Sequence, residues 1–112
     1  MIAHLLRSHS IPFIYEKPTA VRDGDKTKIW HPDFTLSSGL IIEYSGMEHD
    51  RAYLRRMNHK LRIYRQNQFN VIVLSPKTMT RWWKLNLMDL IASHLKRHYH
   101  DFCRRTRRGP IV

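Results

Sequence analysis

The sequence predicts an α/β protein built on a mixed four-stranded sheet flanked by helices, with its elements in the order α-β-β-β-α-β-α. Two observations favour this class. Stretches of aromatic and β-branched residues, separated by polar turns, dominate the first half of the chain and are typical of strands. In the second half, apolar residues recur every three or four positions on either side of one short apolar segment, which predicts two helices around a buried strand.

The first half begins with a short helix and continues with three strands. Apolar residues near the N-terminus have the spacing of an amphipathic helix, which ends before Pro12. The polar stretch 19–28, with Asp23 and Gly24 at its centre, predicts a hairpin loop between the first two strands. The three strands form an antiparallel meander and are predicted over 12–17, 29–36 and 39–45.

The second half predicts a crossover and a final helix. Residues 50–67 are predicted to form the first long helix, with Asp50 as its N-cap or as an acid in its first turn. The apolar segment 70–76 is the fourth strand, and it should run parallel to the third strand because a helix connects the two. The last helix spans about residues 81–102, and we predict that its core side carries Leu85, Met88, Ile91, Leu95 and Phe102.

The composition predicts a polyanionic partner. The net charge is +11, from 20 Lys and Arg against 9 Asp and Glu, and it favours nucleic acid over a membrane because the apolar stripes are needed for the core. We predict one domain over 1–103 and a basic tail over 104–112. The side chains expected to contact phosphates rather than bases are Arg51, Arg55, Arg56, Arg62, Arg65, Arg104 and Arg105.

The cysteine count and the N-terminus indicate the compartment. Cys103 is the only cysteine, so no intramolecular disulfide forms and a reducing environment is expected. The first 13 residues lack the long apolar core and the cleavage site of a signal peptide, and no apolar run reaches the length of a membrane span. We therefore expect a cytoplasmic protein with no membrane partner.

The turn Ser37–Gly39 sets the register of the second and third strands. A three-residue hairpin loop ends on a residue with positive φ, which Gly39 adopts without steric cost. Asp33 then faces Glu43 on one side of the sheet, with the two Cβ atoms about 5 Å apart. Adjacent carboxylates repel each other, so they require either neighbouring basic side chains or a divalent metal such as Mg²⁺ or Mn²⁺.

The same register divides the remaining residues of the hairpin between two faces. His31, Thr35, Ile41 and Ser45 share the acidic face by alternation. The opposite face is expected to be wholly apolar and to consist of Phe34, Leu36, Leu40, Ile42 and Tyr44.

The motif "HPDF", followed after six residues by "IIEYSG", resembles the PD-(D/E)XK, or restriction-endonuclease-like, nucleases. The phrases "SIPFIYEKP" and "NHKLRIYRQNQFNVIVLSP" are most similar to a small helicase-associated and phage-type branch, and the resemblance covers about residues 2–76. It implies an endonuclease that hydrolyses phosphodiester bonds in DNA with Mg²⁺ or Mn²⁺. It also implies that Asp33, Glu43 and the carbonyl of Tyr44 are the metal ligands.

The chain departs from the family at two positions. The lysine usually found two residues after the second acid is Ser45 here, and Lys60 stands where some branches supply that lysine from the following helix. Lys60 is therefore either a catalytic lysine or an ordinary exposed one. The acid expected in the first helix would fall before Met1, so Glu16 is the candidate third acid. His49 either serves a phosphate or a proton or caps the next helix.

These departures leave a second reading open. A catalytically impaired protein that binds nucleic acid on the same fold would need neither the missing lysine nor the missing acid. The small size of the chain also suits an accessory subunit of a larger complex, or a homodimer. DNA is the more natural partner than RNA under either reading.

Overall fold

We describe residues 1–106 from a computed structural model, with side chains described through residue 100. The chain divides into two compact units, the first over Met1–Arg81 and the second from Trp82 onward, and each is described by itself. The first unit contains two helices and six strands, and the described part of the second, through residue 106, contains one helix. The predicted boundary between a domain over 1–103 and a tail over 104–112 stays a prediction.

The first unit is a mixed α/β structure, as predicted. Its four-stranded sheet has the strand order β1-β4-β5-β6, and a two-stranded sheet pairs β2 with β3. The helices are α1 (Ile2–Ser8) and α2 (Arg51–Gln66). The strands are β1 (Phe13–Tyr15), β2 (Thr19–Asp23), β3 (Lys26–Trp30), β4 (Phe34–Leu36), β5 (Ile41–Tyr44) and β6 (Val71–Leu74).

The pairing within the larger sheet confirms the predicted register. β4 is antiparallel to both β1 and β5, and β5 is parallel to β6. Phe34 pairs with Ile42 as the loop length requires. Gly39 has a φ of +90°, and its N–H donates to the carbonyl of Leu36 at 2.9 Å, which closes the turn.

The predicted hairpin loop over 19–28 and the predicted strand over 29–36 are both wrong in detail. Residues 19–30 form a second antiparallel sheet, in which Thr19 pairs with Trp30 and the turn includes Gly24 with a φ of +65°. β3 ends before Pro32, which has no N–H to donate to a ladder. The sequence of this hairpin shows no clear alternation of polar and apolar residues, because Val21 is its only buried residue.

The hairpin β2-β3 covers the acidic face of the larger sheet. A buried cluster joins Val21 of β2 and Ile41 of β5 to Ile63 and Tyr64 of α2, with Trp30 partly buried against it. Both faces of the β4-β5 hairpin are therefore largely buried. The predicted apolar face is interrupted at its end, because Tyr44 is 38% exposed.

The start and the end of α2 are fixed by side-chain caps. Asp50 is the N-cap, as predicted, and its Oδ1 accepts from the N–H of Ala52 at 2.9 Å and from that of Tyr53 at 3.2 Å. Beyond the last turn, the side chain of Asn67 donates to the carbonyl of Ile63 and accepts from the N–H of Arg22. The end of α2 is thereby attached to β2.

Within the described residues, the second unit contains α3 (Trp83–Thr106), whose predicted core side is confirmed at Ile91 and wrong at Leu85 and Leu95. Over residues 83–100, the buried residues are Leu87, Ile91 and His94, whereas Leu85 is 61% exposed and Leu95 is 47% exposed. Ile91 has helical spacing both to Leu87 and His94 and to Met88 and Leu95, and the periodicity alone does not distinguish these two stripes. The side chain of Phe102 lies outside the described residues. Among residues 1–106, no helix has both the length and the apolar character needed to cross a membrane.

Candidate metal centre and basic cleft

Asp33 and Glu43 meet where the paired part of the β4-β5 hairpin ends. The N–H of Asp33 donates to Oε1 of Glu43 at 3.2 Å, and the N–H of Tyr44 donates to Oδ2 of Asp33 at 2.8 Å. Each carboxylate thus accepts a hydrogen bond from the backbone of the opposite strand. We call these two residues the carboxylate pair.

Glu43 is the inner member of the pair. It is 2% exposed, and burial is the largest cause that raises the pKa of its carboxyl above the usual range. The charge of Lys60 opposes this shift and that of Asp33 adds to it. Lys60 Nζ donates to Oε2 at 3.2 Å, and the hydroxyl of Tyr64 donates to Oε1 at 3.4 Å. Glu43 is therefore a desolvated acid with donors on both oxygens.

Asp33 is the outer member of the pair. It is partly exposed and lines a cavity of about 300 Å³ together with Tyr15, Phe34 and Tyr44. The N-terminal residues 1–3 and Met79 complete the lining. A ligand can therefore approach the pair from the side of Asp33.

Lys60 lines a second and larger cavity. Its volume is about 570 Å³, and we call it the basic cleft. One wall comes from β3 and the residue that follows it, and the other comes from α2. The residues that line it are Ile29, Trp30, His31, Arg55, Arg56, His59 and Lys60.

Hydrogen bonds hold the hairpin β2-β3, and with it the β3 wall of the basic cleft, against α2. Oδ2 of Asp23 lies 2.9 Å from both Lys28 Nζ and His59 Nε2, and these two hydrogen bonds lower the pKa of the Asp23 carboxyl. Asn67 donates to the carbonyl of Arg22 at 3.0 Å and adds a second attachment. The hairpin β2-β3 is thus fastened to α2 at two points.

The other predicted site residues do not join the carboxylate pair. Glu16 is exposed, and only its backbone approaches the pair, since its N–H donates to the carbonyl of Asp33 at 3.2 Å. His49 is exposed between β5 and α2. Ser45, at the position of the family's lysine, is buried. Among the described residues, no three His, Cys, Asp or Glu side chains converge on one point where they could hold a metal.

Five of the predicted phosphate-binding arginines have described side chains, and they divide into three groups. Arg55 and Arg56 line the basic cleft, whereas Arg51 and Arg65 are exposed on α2 outside it. Arg62 lies with Nη2 2.8 Å from Nδ1 of His59. The side chains of Arg104 and Arg105 lie outside the described residues.

Sequence reasoning missed two contributions to this site. Tyr64 is absent from the predicted site residues, although it lies one turn after Lys60 and so shares its face. Trp30 was read as a strand residue, and its place in the cleft depends on the unpredicted sheet β2-β3. The spacing of Lys60 and Tyr64 could have revealed the first, but no local pattern indicated the second.

The donors present fit a hard divalent cation. Both members of the carboxylate pair offer the oxygen ligands that Mg²⁺ and Mn²⁺ prefer, and Asp33 is accessible from a cavity. The buried charge of Glu43 is already compensated by one cation, the ammonium group of Lys60.

A comparison of the chain with protein-family models, with curated proteins and with solved structures finds no match.

Proposed function

We propose that this protein is a metal-dependent endonuclease of the restriction-endonuclease-like class that hydrolyses phosphodiester bonds in DNA. One observation carries the proposal: a buried glutamate, Glu43, is held against a second acid, Asp33, and against Lys60. The order of helices and strands around the pair supports the class. We further propose that the protein acts in the reducing cytoplasm, in keeping with its single cysteine.

Stability alone is a poor explanation for this arrangement. A buried ion pair is often no more stabilising than apolar residues of the same volume, because both charges lose their hydration. Here a second carboxylate, Asp33, adds repulsion to the cost of burying Glu43. Groups with pKa values perturbed by burial and by a neighbouring charge concentrate at functional sites. The carboxylate pair therefore favours a role in chemistry.

The roles follow from position. Asp33, Glu43 and the carbonyl of Tyr44 would hold Mg²⁺ or Mn²⁺. The bound ion would lower the pKa of a coordinated water and neutralise charge on the phosphate. Lys60 takes the part of the lysine that is absent at Ser45: its ammonium group lies between the pair and the basic cleft, where it can orient water or stabilise negative charge.

A second function has its own supporting observation. Both oxygens of Glu43 already accept hydrogen bonds from protein donors, and Ser45 is buried where the family's lysine would stand. A catalytically impaired protein would use the pair with Lys60 as a structural unit and would only bind DNA. Such a protein would act as an accessory subunit or a homodimer.

A cleavage assay separates the two functions. The purified protein is incubated with supercoiled plasmid, single-stranded DNA and branched DNA, in Mg²⁺, in Mn²⁺ or in EDTA. The nuclease is expected to cut at least one substrate with either metal and none in EDTA. A Glu43→Gln preparation, purified identically, controls for contaminating nucleases. Binding without any metal-dependent cutting, or equal cutting by Glu43→Gln, would favour the impaired protein.

A further inference from the structure

We propose that the basic cleft binds one unpaired nucleotide, with its phosphate on the α2 wall and its base against Trp30 on the β3 wall. The substrate class would then be single-stranded or locally unpaired DNA. The link from this cleft to cleavage rests on the proposed nuclease function, but binding in the cleft does not.

The two walls of the cleft differ in chemistry in the way a nucleotide requires. Arg55, Arg56 and Lys60 place three cationic groups on the α2 wall, which suits a phosphate. Ile29 and Trp30 make the β3 wall apolar and aromatic, which suits the face of a base. A volume of about 570 Å³ falls within the range of small-ligand sites.

An aromatic wall inside a cleft selects unpaired bases. In a duplex, both faces of a base are covered by its neighbours in the stack, so Trp30 could reach a face only after the base has left the stack. Stacking on an aromatic side chain tolerates any base, in keeping with a sequence that names no base-reading residues. Contacts with exposed cations alone would instead favour the duplex, which carries the denser phosphate charge.

Lys60 connects the cleft to the carboxylate pair. Its side chain lines the cleft, and its Nζ lies 3.2 Å from Oε2 of Glu43. A nucleotide bound there would have its phosphate beside the pair. The hydrogen bonds from His59 to Asp23 and from Asn67 to the carbonyl of Arg22 hold the hairpin β2-β3 against α2 before any ligand arrives. The cleft is therefore preformed, which reduces the ordering cost of binding.

Binding is measured by fluorescence anisotropy in EDTA, with a labelled single-stranded oligonucleotide and a duplex of the same length. The wild-type protein is expected to prefer the single strand. Arg55→Gln/Arg56→Gln should weaken single-strand binding at least about tenfold, since each charged hydrogen bond contributes that order of affinity. The matched comparison is Arg51→Gln/Arg65→Gln, which removes the same charge from the same helix outside the cleft and should weaken single-strand and duplex binding alike, by a smaller factor.

Trp30→Leu tests the aromatic wall, and it should weaken single-strand binding about fivefold or more while changing duplex binding little. Circular dichroism establishes whether this variant folds, because Trp30 contributes to the core; if it does not fold, the arginine pairs decide. Equal losses in the two arginine pairs, or a preference for duplex, would overturn the cleft. If the protein prefers the single strand to the duplex but never cuts DNA, the proposed nuclease function is refuted and nucleotide binding in the cleft is still supported.

Discussion

Glu43 and the arginines of the basic cleft carry opposite charges in opposite environments. Glu43 is 2% exposed and makes hydrogen bonds to three protein groups, whereas Arg55 and Arg56 are exposed. Burying a charge costs free energy, so a buried charge is kept where its exact position matters; a solvated charge costs little, and salt screens its interactions. We therefore expect the carboxylate pair to control the rate of reaction and the cleft to control affinity.

Substitution of Asp33 is expected to have the largest effect, because it should lower the rate of cleavage without lowering DNA affinity. Asp33→Asn should lower the rate of cleavage by about 1000-fold or more, because an amide is a poorer ligand for Mg²⁺ and supports water activation less well. DNA affinity in EDTA should be unchanged or higher, since the substitution removes a negative charge near the phosphate. Rates and affinities are compared with Asp25→Asn, which alters an exposed acid in the β2-β3 turn. Wild-type cutting by Asp33→Asn would place the active site elsewhere.

Lys60 contacts Glu43 and also lines the basic cleft, and its substitution should lower mainly the rate of cleavage. Lys60→Ala is expected to slow cleavage by about 100-fold, the order found when one preorganised donor is removed. Affinity should fall only a few-fold, because Arg55 and Arg56 remain in the cleft. Lys77→Ala, which removes an exposed lysine, is the matched control. Equal and small effects of the two lysines would make Lys60 an ordinary surface residue.

Salt should act on the affinity and not on the bound complex. Neutralisation of the one phosphate in the basic cleft predicts a loss of affinity of about threefold between roughly 50 and 200 mM salt, and each further phosphate contact multiplies that loss by about three. The rate at saturating DNA should stay nearly constant over this range, since the pair is largely shielded from solvent. Anisotropy titrations and single-turnover cleavage at each salt concentration measure the two quantities. An affinity that does not change with salt would contradict the phosphate contacts.

The smallest expected effect is on stability and depends on pH. The pKa of Glu43 is raised by burial, so the folded protein binds this proton more tightly than the unfolded chain does. The contribution of Glu43 to stability is therefore greatest at low pH and is lost as the pH rises from the ordinary glutamate range through the raised pKa. In EDTA, Glu43→Gln should be more stable than wild type by an amount that grows with pH over that window. Urea midpoints at several pH values measure the difference, and a gap that narrows with pH would refute the assignment.

The sequence was sufficient for the hairpin that carries the site but not for its surroundings. Loop length and Gly39 determine the register of β4 and β5, and both are local properties. The sequence did not predict the hairpin β2-β3, because most of its residues are exposed and resemble those of a loop. Its one buried residue, Val21, is buried through packing against α2, which a local pattern does not describe. The hydrogen bond from Tyr64 to Glu43 joins residues that are 21 positions apart. Contacts of this kind depend on packing between elements, which periodicity does not describe.

The same limit explains the error in α3. Ile91 was predicted correctly, but it is buried together with Leu87 and His94, whereas Leu85 and Leu95 from the predicted stripe are exposed. His94 was the less obvious core residue because it is titratable, yet it is buried, and that burial is the main cause that lowers the pKa of its imidazole. Hydrophobicity alone therefore favoured Leu85 and Leu95 over His94 as core residues.

The most direct test of the metal centre is calorimetric titration of the metal-free protein with Mg²⁺ and Mn²⁺, without nucleic acid. The wild-type protein is expected to bind either ion with a measurable heat and to unfold at a higher temperature when the ion is present. Asp33→Asn and Glu43→Gln should lose both the heat and the stabilisation, whereas Asp25→Asn should keep them. Identical titration curves for the wild type and for folded Asp33→Asn and Glu43→Gln would contradict the metal site and leave the carboxylate pair a structural feature.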